Sequence, residues 1–162
     1  MNNVFINYLK NIDRNKIISI YIDMDGVVVD YDLENHKLKG NDENVFLNKR
    51  PVLTTINILK EANNLENVEL YILSAIRHNN QKQGKLIWLE KNMSFIKKEN
   101  IHILSRENNN YAHPSIIKKE FLLKNINKNN INIHIDDDHL VLKELNKNIK
   151  DLKVLHPSSI ID

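Results

Sequence analysis

The stretch YIDMDGVVVD, residues 21–30, runs an apolar segment into Asp23 and Asp25, one residue apart. Two carboxylates that close repel each other, so a cation or a shared proton has to hold them there. Their spacing suits phosphoryl transfer. An ionised Asp23 could attack phosphorus and form an aspartyl-phosphate. Asp25 could give a proton to the leaving oxygen and later take one from water. Such a pair works with its pKa values pushed apart, one group ionised and one protonated. Gly26 permits the sharp turn that follows. A calcium loop fits less well. Setting Asp23, Asp25 and Gly26 at its third, fifth and sixth positions puts Tyr21 at the first ligand and Asp32 at the last, where a glutamate belongs.

Further polar groups lie downstream. Ser74 ends the apolar run VELYILS, with Ala75 after it, and Asp136, Asp137 and Asp138 end INIHIDDD. If these runs are neighbouring strands, four or five carboxylates converge on one rim. That is very unfavourable unless neutralised. A hard divalent cation with oxygen ligands resolves it, and Mg²⁺ is the expected one. Lys118 or Lys119 adds a fixed positive charge able to hold both a phosphate and Asp23. Ser74 is placed to hydrogen-bond a phosphoryl oxygen. Taken singly, Ser74 is a strand-end hydroxyl, Lys118 part of a solvated helix face, and Asp138 a helix cap.

The elements that must position these residues are legible in the pattern. Five strands are expected: Ile17–Asp23, Val68–Ser74, Ile101–Leu104, Ile131–Asp136 and Lys153–His156, all rich in β-branched and aromatic residues. Helical patterns separate them. PVLTTINILKEANN opens with Pro51 at the first helical position. QKQGKLIWLEKNMSFI sets Leu86, Leu89 and Met93 on one face, with Trp88 expected in the core. PSIIKKEFLLKNI and DHLVLKELNKN follow, the latter capped by Asp138. Alternating strands and helices give an α/β domain built on a parallel sheet, with ligands beyond the carboxyl ends of the strands. Residues 1–16 read as an N-terminal helical extension packing on the outside. Residues 31–50 are long for a connection and read as a short flap over that edge, with Tyr31, His36 and Phe46 as loop residues able to meet a base or sugar.

The bulk composition narrows the class. The chain has 162 residues, 41% hydrophobic and 27% charged, which suits one domain with a real core. A net charge of +2 is too balanced to imply a nucleic-acid or membrane partner by bulk electrostatics. Without cysteine there is no disulfide and no thiolate zinc site. The seven histidines lack zinc spacing, and His134 within a strand reads as structural. No signal-peptide pattern opens the chain and no apolar run is long enough to span a membrane, so a cytoplasmic location is expected.

In order, DMDGVVVD, YILS, the lysine at 118 and IDDD resemble the four motifs of haloacid-dehalogenase-like phosphohydrolases. The resemblance runs from about residue 17 to the end. It implies a Rossmann-like sheet of strand order 5-4-1-2-3 with a minimal cap. It makes Asp23 the nucleophile and Asp25 the acid/base. It places Mg²⁺ on Asp23, the Asp25 main-chain carbonyl and the pair Asp136–Asp137, without deciding which of that pair touches the metal.

Two branches of the family compete for the substrate. DMDGVVVDYD resembles the opening of 5′(3′)-deoxyribonucleotidases. SIIKKEFLLKNI with IHIDDD, and KLIWLEKN, are similar to the 3′-phosphatase domain of phage polynucleotide kinase-phosphatases. In that second alignment Lys118 is the catalytic lysine and Arg77 sits near a phosphate-contacting arginine. The implied phosphate ligands are therefore Ser74, Ala75, Arg77 and Lys118. The P-loop of a kinase is absent. Both branches handle nucleotide phosphomonoesters; the nucleotidase reading is preferred, with a polynucleotide end as the alternative. A catalytically idle domain that binds a phosphorylated ligand or a protein partner is the third reading.

Overall fold

A computed structural model describes residues 3–31 and 44–161 of the chain. Most of the expected flap, including His36, lies outside the described residues. The strands are β1 (Ile18–Ile22), β2 (Val68–Ile76), β3 (Ile101–Ser105), β4 (Ile131–Ile135) and β5 (Leu152–Leu155). They form one parallel sheet of order β3-β2-β1-β4-β5, the arrangement expected from the sequence. The helices are α1 (Val4–Lys10), α2 (Leu53–Asn63), α3 (Lys82–Asn92), α4 (Pro114–Asn125) and α5 (His139–Asn148).

Strand β1 is central and buried along its whole length. Its alternate residues feed two cores. Ile18, Ile20 and Ile22 pack with Leu70, Ile72, Ile133 and Ile135 against Leu59 of α2 and Trp88 and Leu89 of α3. Tyr21 belongs to the other cluster, with Leu122 of α4 and Val141 and Leu145 of α5. Period-two alternation therefore divides the β1 side chains between two helical layers. Each such aliphatic side chain is worth about 1.5–3 kcal/mol when fully buried.

Several boundaries differ from expectation. Pro51 precedes the second helix and does not open it. Val52 N–H donates to the Val28 carbonyl at 2.8 Å and Asp30 N–H to that of Arg50 at 2.9 Å, so residues 50–52 are extended and α2 starts at Leu53. Strand β2 continues two residues past Ser74, pairing with β3 as far as Ile76. On α3 the buried face is Gly84, Lys85, Trp88 and Leu89, with Leu86 only half-buried. Helix α1 is no surface appendage. Phe5, Ile6 and Leu9 enter the first core, and the Asn3 side chain accepts from Ile6 N–H at 3.0 Å and donates to the Ile160 carbonyl at 2.9 Å. Among the described residues no helix is long and apolar enough to cross a membrane.

Candidate active site

Parallel pairing aligns Ile22 of β1 with Ile135 of β4. The next residue of each strand is an aspartate, and Asp23 N–H donates to the Ile135 carbonyl at 2.9 Å. Register alone thus sets Asp23 beside Asp136. Carboxylate oxygens of Asp23, Asp136 and Asp137 lie within 4.8 Å of one another, although more than a hundred residues separate the first from the others.

A buried lysine stands between them. Lys118 of α4, 2% exposed, donates to Asp136 Oδ2 at 2.6 Å and lies 3.0 Å from Asp23 Oδ1. Its neighbour Lys119 turns away to Glu144, which separates the two candidate lysines. Burial favours neutral Lys118, but Asp23 and Asp136 outweigh it and raise its pKa above the ordinary value. Asp136 takes two further donors. Its Oδ2 also meets His134 Nε2 at 3.0 Å, and its Oδ1 accepts from Asp138 N–H at 3.0 Å. Burial pushes that carboxyl up, yet His134 and Lys118 hold it well below the usual range. His134 is buried and its pKa is lowered, so the neutral ring donates through Nε2, leaving Nδ1 as a buried lone pair with no partner among the described residues. It therefore braces a site carboxylate as well as the core.

Asp137 is less satisfied. Its pKa is raised, first by burial, with further contributions from Asp23 and Asp136. Tyr31 O–H donates to its Oδ2 at 2.8 Å. Gly26 makes this approach possible. Its φ is +73°, and a Cβ there would lie 2.2 Å from Asp137 Oδ2.

Asp25 has its own cations. Lys85 Nζ of α3 donates to Asp25 Oδ2 at 2.6 Å, to Ser74 Oγ at 2.8 Å and to the Ala75 carbonyl at 3.1 Å. Lys49 Nζ donates to Asp25 Oδ1 at 2.9 Å. Both ammonium groups sit over the Phe46 ring, Lys85 at 4.5 Å and Lys49 at 4.7 Å from its centroid. Burial pushes Asp25 up, but Lys85 and then Lys49 bring it down to about 2. The protonated partner expected of the Asp23–Asp25 pair is therefore not Asp25 in this state.

Of the residues expected to contact phosphate, Ser74 and Ala75 lie inside β2, and both are bonded to Lys85. Arg77 follows the end of that strand. Its backbone N–H donates to Gln81 Oε1 at 3.1 Å, while its exposed side chain makes no ion pair among the described residues. Asp138 caps α5, accepting from Leu140 N–H at 2.8 Å. Trp88 is 1% exposed, as expected, yet its indole N–H donates to the Lys49 carbonyl at 2.8 Å. The sequence reading missed Lys49 and Lys85. A lysine three residues before Trp88 and four before Leu89, on the face those two bury, was the available sign.

The donor set fits a hard divalent cation. Three carboxylates within 4.8 Å of one another supply only oxygen, and burial, with added repulsion from Asp23 and Asp136, raises the pKa of Asp137, which such an ion would offset.

The same fold occurs in solved structures. One chain of the Pnkp1/Rnl/Hen1 RNA repair complex matches 89% of this chain with TM-score 0.67 and 21% identity. A chain in a second structure of the Pnkp1/Rnl/Hen1 complex matches 89% with TM-score 0.62 and 21% identity. The match spans 43% and 47% of those two chains, less than half of each. No protein-family model matches the sequence, and no curated protein does.

Proposed function

We propose that this chain is a divalent-cation-dependent phosphomonoesterase of the haloacid-dehalogenase-like kind, acting on nucleotide phosphates. One observation carries the reading: Lys118 is buried between Asp23 and Asp136, with Asp137 alongside, at the carboxyl ends of the two central strands. Phosphoryl transfer needs little more from a protein than a held nucleophile, a positioned proton carrier and concentrated positive charge.

Asp23 attacks phosphorus. The new oxygen–phosphorus bond forms as the bond to the leaving oxygen breaks, and that oxygen takes a proton from Asp25. Asp25, then ionised, takes a proton from a water that attacks the aspartyl-phosphate, releasing inorganic phosphate and free Asp23. Lys85 and Lys49 favour ionised Asp25, the form required for the second half-reaction. Lys118 fixes Asp23 and offers its charge to the phosphoryl oxygens. Asp23, Asp137 and the Asp25 main-chain carbonyl would hold Mg²⁺, which when bound would neutralise charge between nucleophile and phosphate. Asp136 already accepts from Lys118, His134 and the Asp138 N–H, whereas the Asp137 side chain accepts from Tyr31, so we assign Asp136 to orienting Lys118 and give the metal to Asp137.

A second reading of the substrate has its own support. The fold likeness to a chain of an RNA repair complex favours a nucleic-acid end over a free mononucleotide. The test is hydrolysis of a generic aryl phosphate with and without Mg²⁺, then of deoxynucleoside monophosphates against a 3′-phosphorylated oligonucleotide. Mg²⁺-dependent release of phosphate, lost in Asp23→Asn, is the expected result. An Asp23→Asn protein as active as wild type, or no turnover of any phosphomonoester, overturns the reading.

A further inference from the structure

We infer that Lys49 is a specificity residue: it binds a second anionic group on the leaving-group side, so the preferred substrate carries another phosphate near the scissile one. The inference rests on the reading of Asp25 as proton carrier, because that role puts Asp25, and whatever lies beside it, next to the leaving oxygen.

Among the described residues, two ammonium groups, Lys49 and Lys85, serve one carboxylate, Asp25. The two lysines are not equivalent. Lys85 is fully buried, and its three donors meet three protein acceptors, on Asp25, Ser74 and Ala75. It has nothing to offer a ligand. The Lys49 side chain is 20% exposed and has a single acceptor among the described residues, Asp25 Oδ1. Among the described residues, two of its N–H groups have no acceptor.

Lys49 is also held in place, unlike an ordinary surface lysine. Trp88 Nε1 fixes its carbonyl and the Phe46 ring lies beneath its ammonium. The entropy that normally weakens an exposed lysine's contact is already spent in the fold. A half-free, pre-positioned cation beside the leaving oxygen suits an anion on the leaving fragment. In nucleotide chemistry that anion is a neighbouring phosphate, as on a nucleoside 3′,5′-bisphosphate or at a polynucleotide end.

The experiment compares kcat/KM for a nucleoside 3′-monophosphate and the matching 3′,5′-bisphosphate, in wild type, Lys49→Gln and Lys49→Arg. Wild type is expected to favour the bisphosphate by about tenfold or more, the range of one charged hydrogen bond. Lys49→Gln is expected to bring the two substrates within about threefold, chiefly through a higher KM for the bisphosphate, while Lys49→Arg keeps the preference. Equal wild-type rates on both substrates overturn the inference. So does a Lys49→Gln protein that loses both activities in equal proportion, since Lys49 then serves Asp25 alone. Calorimetric binding of the same two nucleotides separates this from failure of the phosphatase reading. If no phosphomonoester is hydrolysed, that reading falls, whereas a Lys49-dependent difference in affinity still upholds the anion site and equal affinities reject it.

Discussion

Lys85 Nζ lies 2.6 Å from Asp25 Oδ2, although sixty positions separate the two residues in the chain. The pair ties the loop after β1 to helix α3 beneath the end of β2. Lys85→Met strands Asp25, Ser74 Oγ and the Ala75 carbonyl without their shared donor. Removing one partner of a buried pair costs about 3–5 kcal/mol, and Lys49 still serves Asp25, so a loss of roughly 2 kcal/mol is expected by urea denaturation. An unchanged midpoint would show that the pair contributes no net stability.

Lys118 makes a sharper test of charge balance. Lys118→Met leaves Asp23 and Asp136 facing each other unshielded and should destabilise the fold by about 3 kcal/mol or more. Adding Asp136→Asn to that variant is expected to restore part of the loss while leaving the protein inactive. Additive effects in the double-mutant cycle would argue that the two residues do not interact.

Gly26→Ala offends twice. The new methyl group collides with the Asp137 carboxylate, and alanine disfavours the φ of +73°. A loss of 1–3 kcal/mol is expected from about that much backbone strain, with a clear fall in Mg²⁺ affinity because Asp137 must move. Isothermal titration with Mg²⁺ reads the second effect apart from the first.

Mg²⁺ should raise the melting temperature of wild type in a concentration-dependent way, as any ligand of the folded state does. Asp137→Asn is expected to abolish that shift. The same variant should melt at or above the wild-type temperature without Mg²⁺, because it removes a carboxylate whose ionisation burial and its acidic neighbours oppose. A persistent Mg²⁺ shift in the variant would move the metal elsewhere.

His102 supplies a pH test remote from the carboxylates. It packs between Tyr71 and Phe121, with ring centroids at 6.3 Å and 4.7 Å, and burial lowers its pKa. A histidine that resists protonation when folded but accepts it when unfolded makes stability rise with pH. The gain accrues between its depressed folded value and the ordinary value near 6.5. Wild type is therefore expected to lose stability as pH falls from neutrality through that window, and His102→Phe to flatten the curve. An identical pH slope in the variant would remove His102 from the account. Buried His134 adds to the wild-type slope in the same direction.

Much of the frame could be read from residue order. Five short apolar runs gave the strands, and the two that end in aspartate gave, through parallel register, the meeting of Asp23 with Asp136 and Asp137. Lys118 was separable from Lys119 only by resemblance; in the fold the distinction is burial, since Lys118 alone faces the sheet. Lys85 and Lys49 were hidden for a different reason. Apolar periodicity treats a lysine as solvent-facing, and the Leu86–Leu89–Met93 spacing pointed to a face rotated from the one actually buried. A charged residue belongs in a core only when its partner is known, and Asp25 becomes that partner only after the chain has folded. Ser74 was placed at a strand end because the run loses its bulky apolar residues there. Pairing with β3 carries β2 further.

Three ammonium groups, on Lys49, Lys85 and Lys118, already stand among the four acidic side chains. The scaffold is therefore built around internal counter-ions, unlike a zinc finger, which collapses when stripped. A chelator should silence the chemistry and leave the architecture standing, and returning the ion should restart it without a refolding step. Under the proposed reading, ion supply would then act on this protein as a throttle on output more than on its survival.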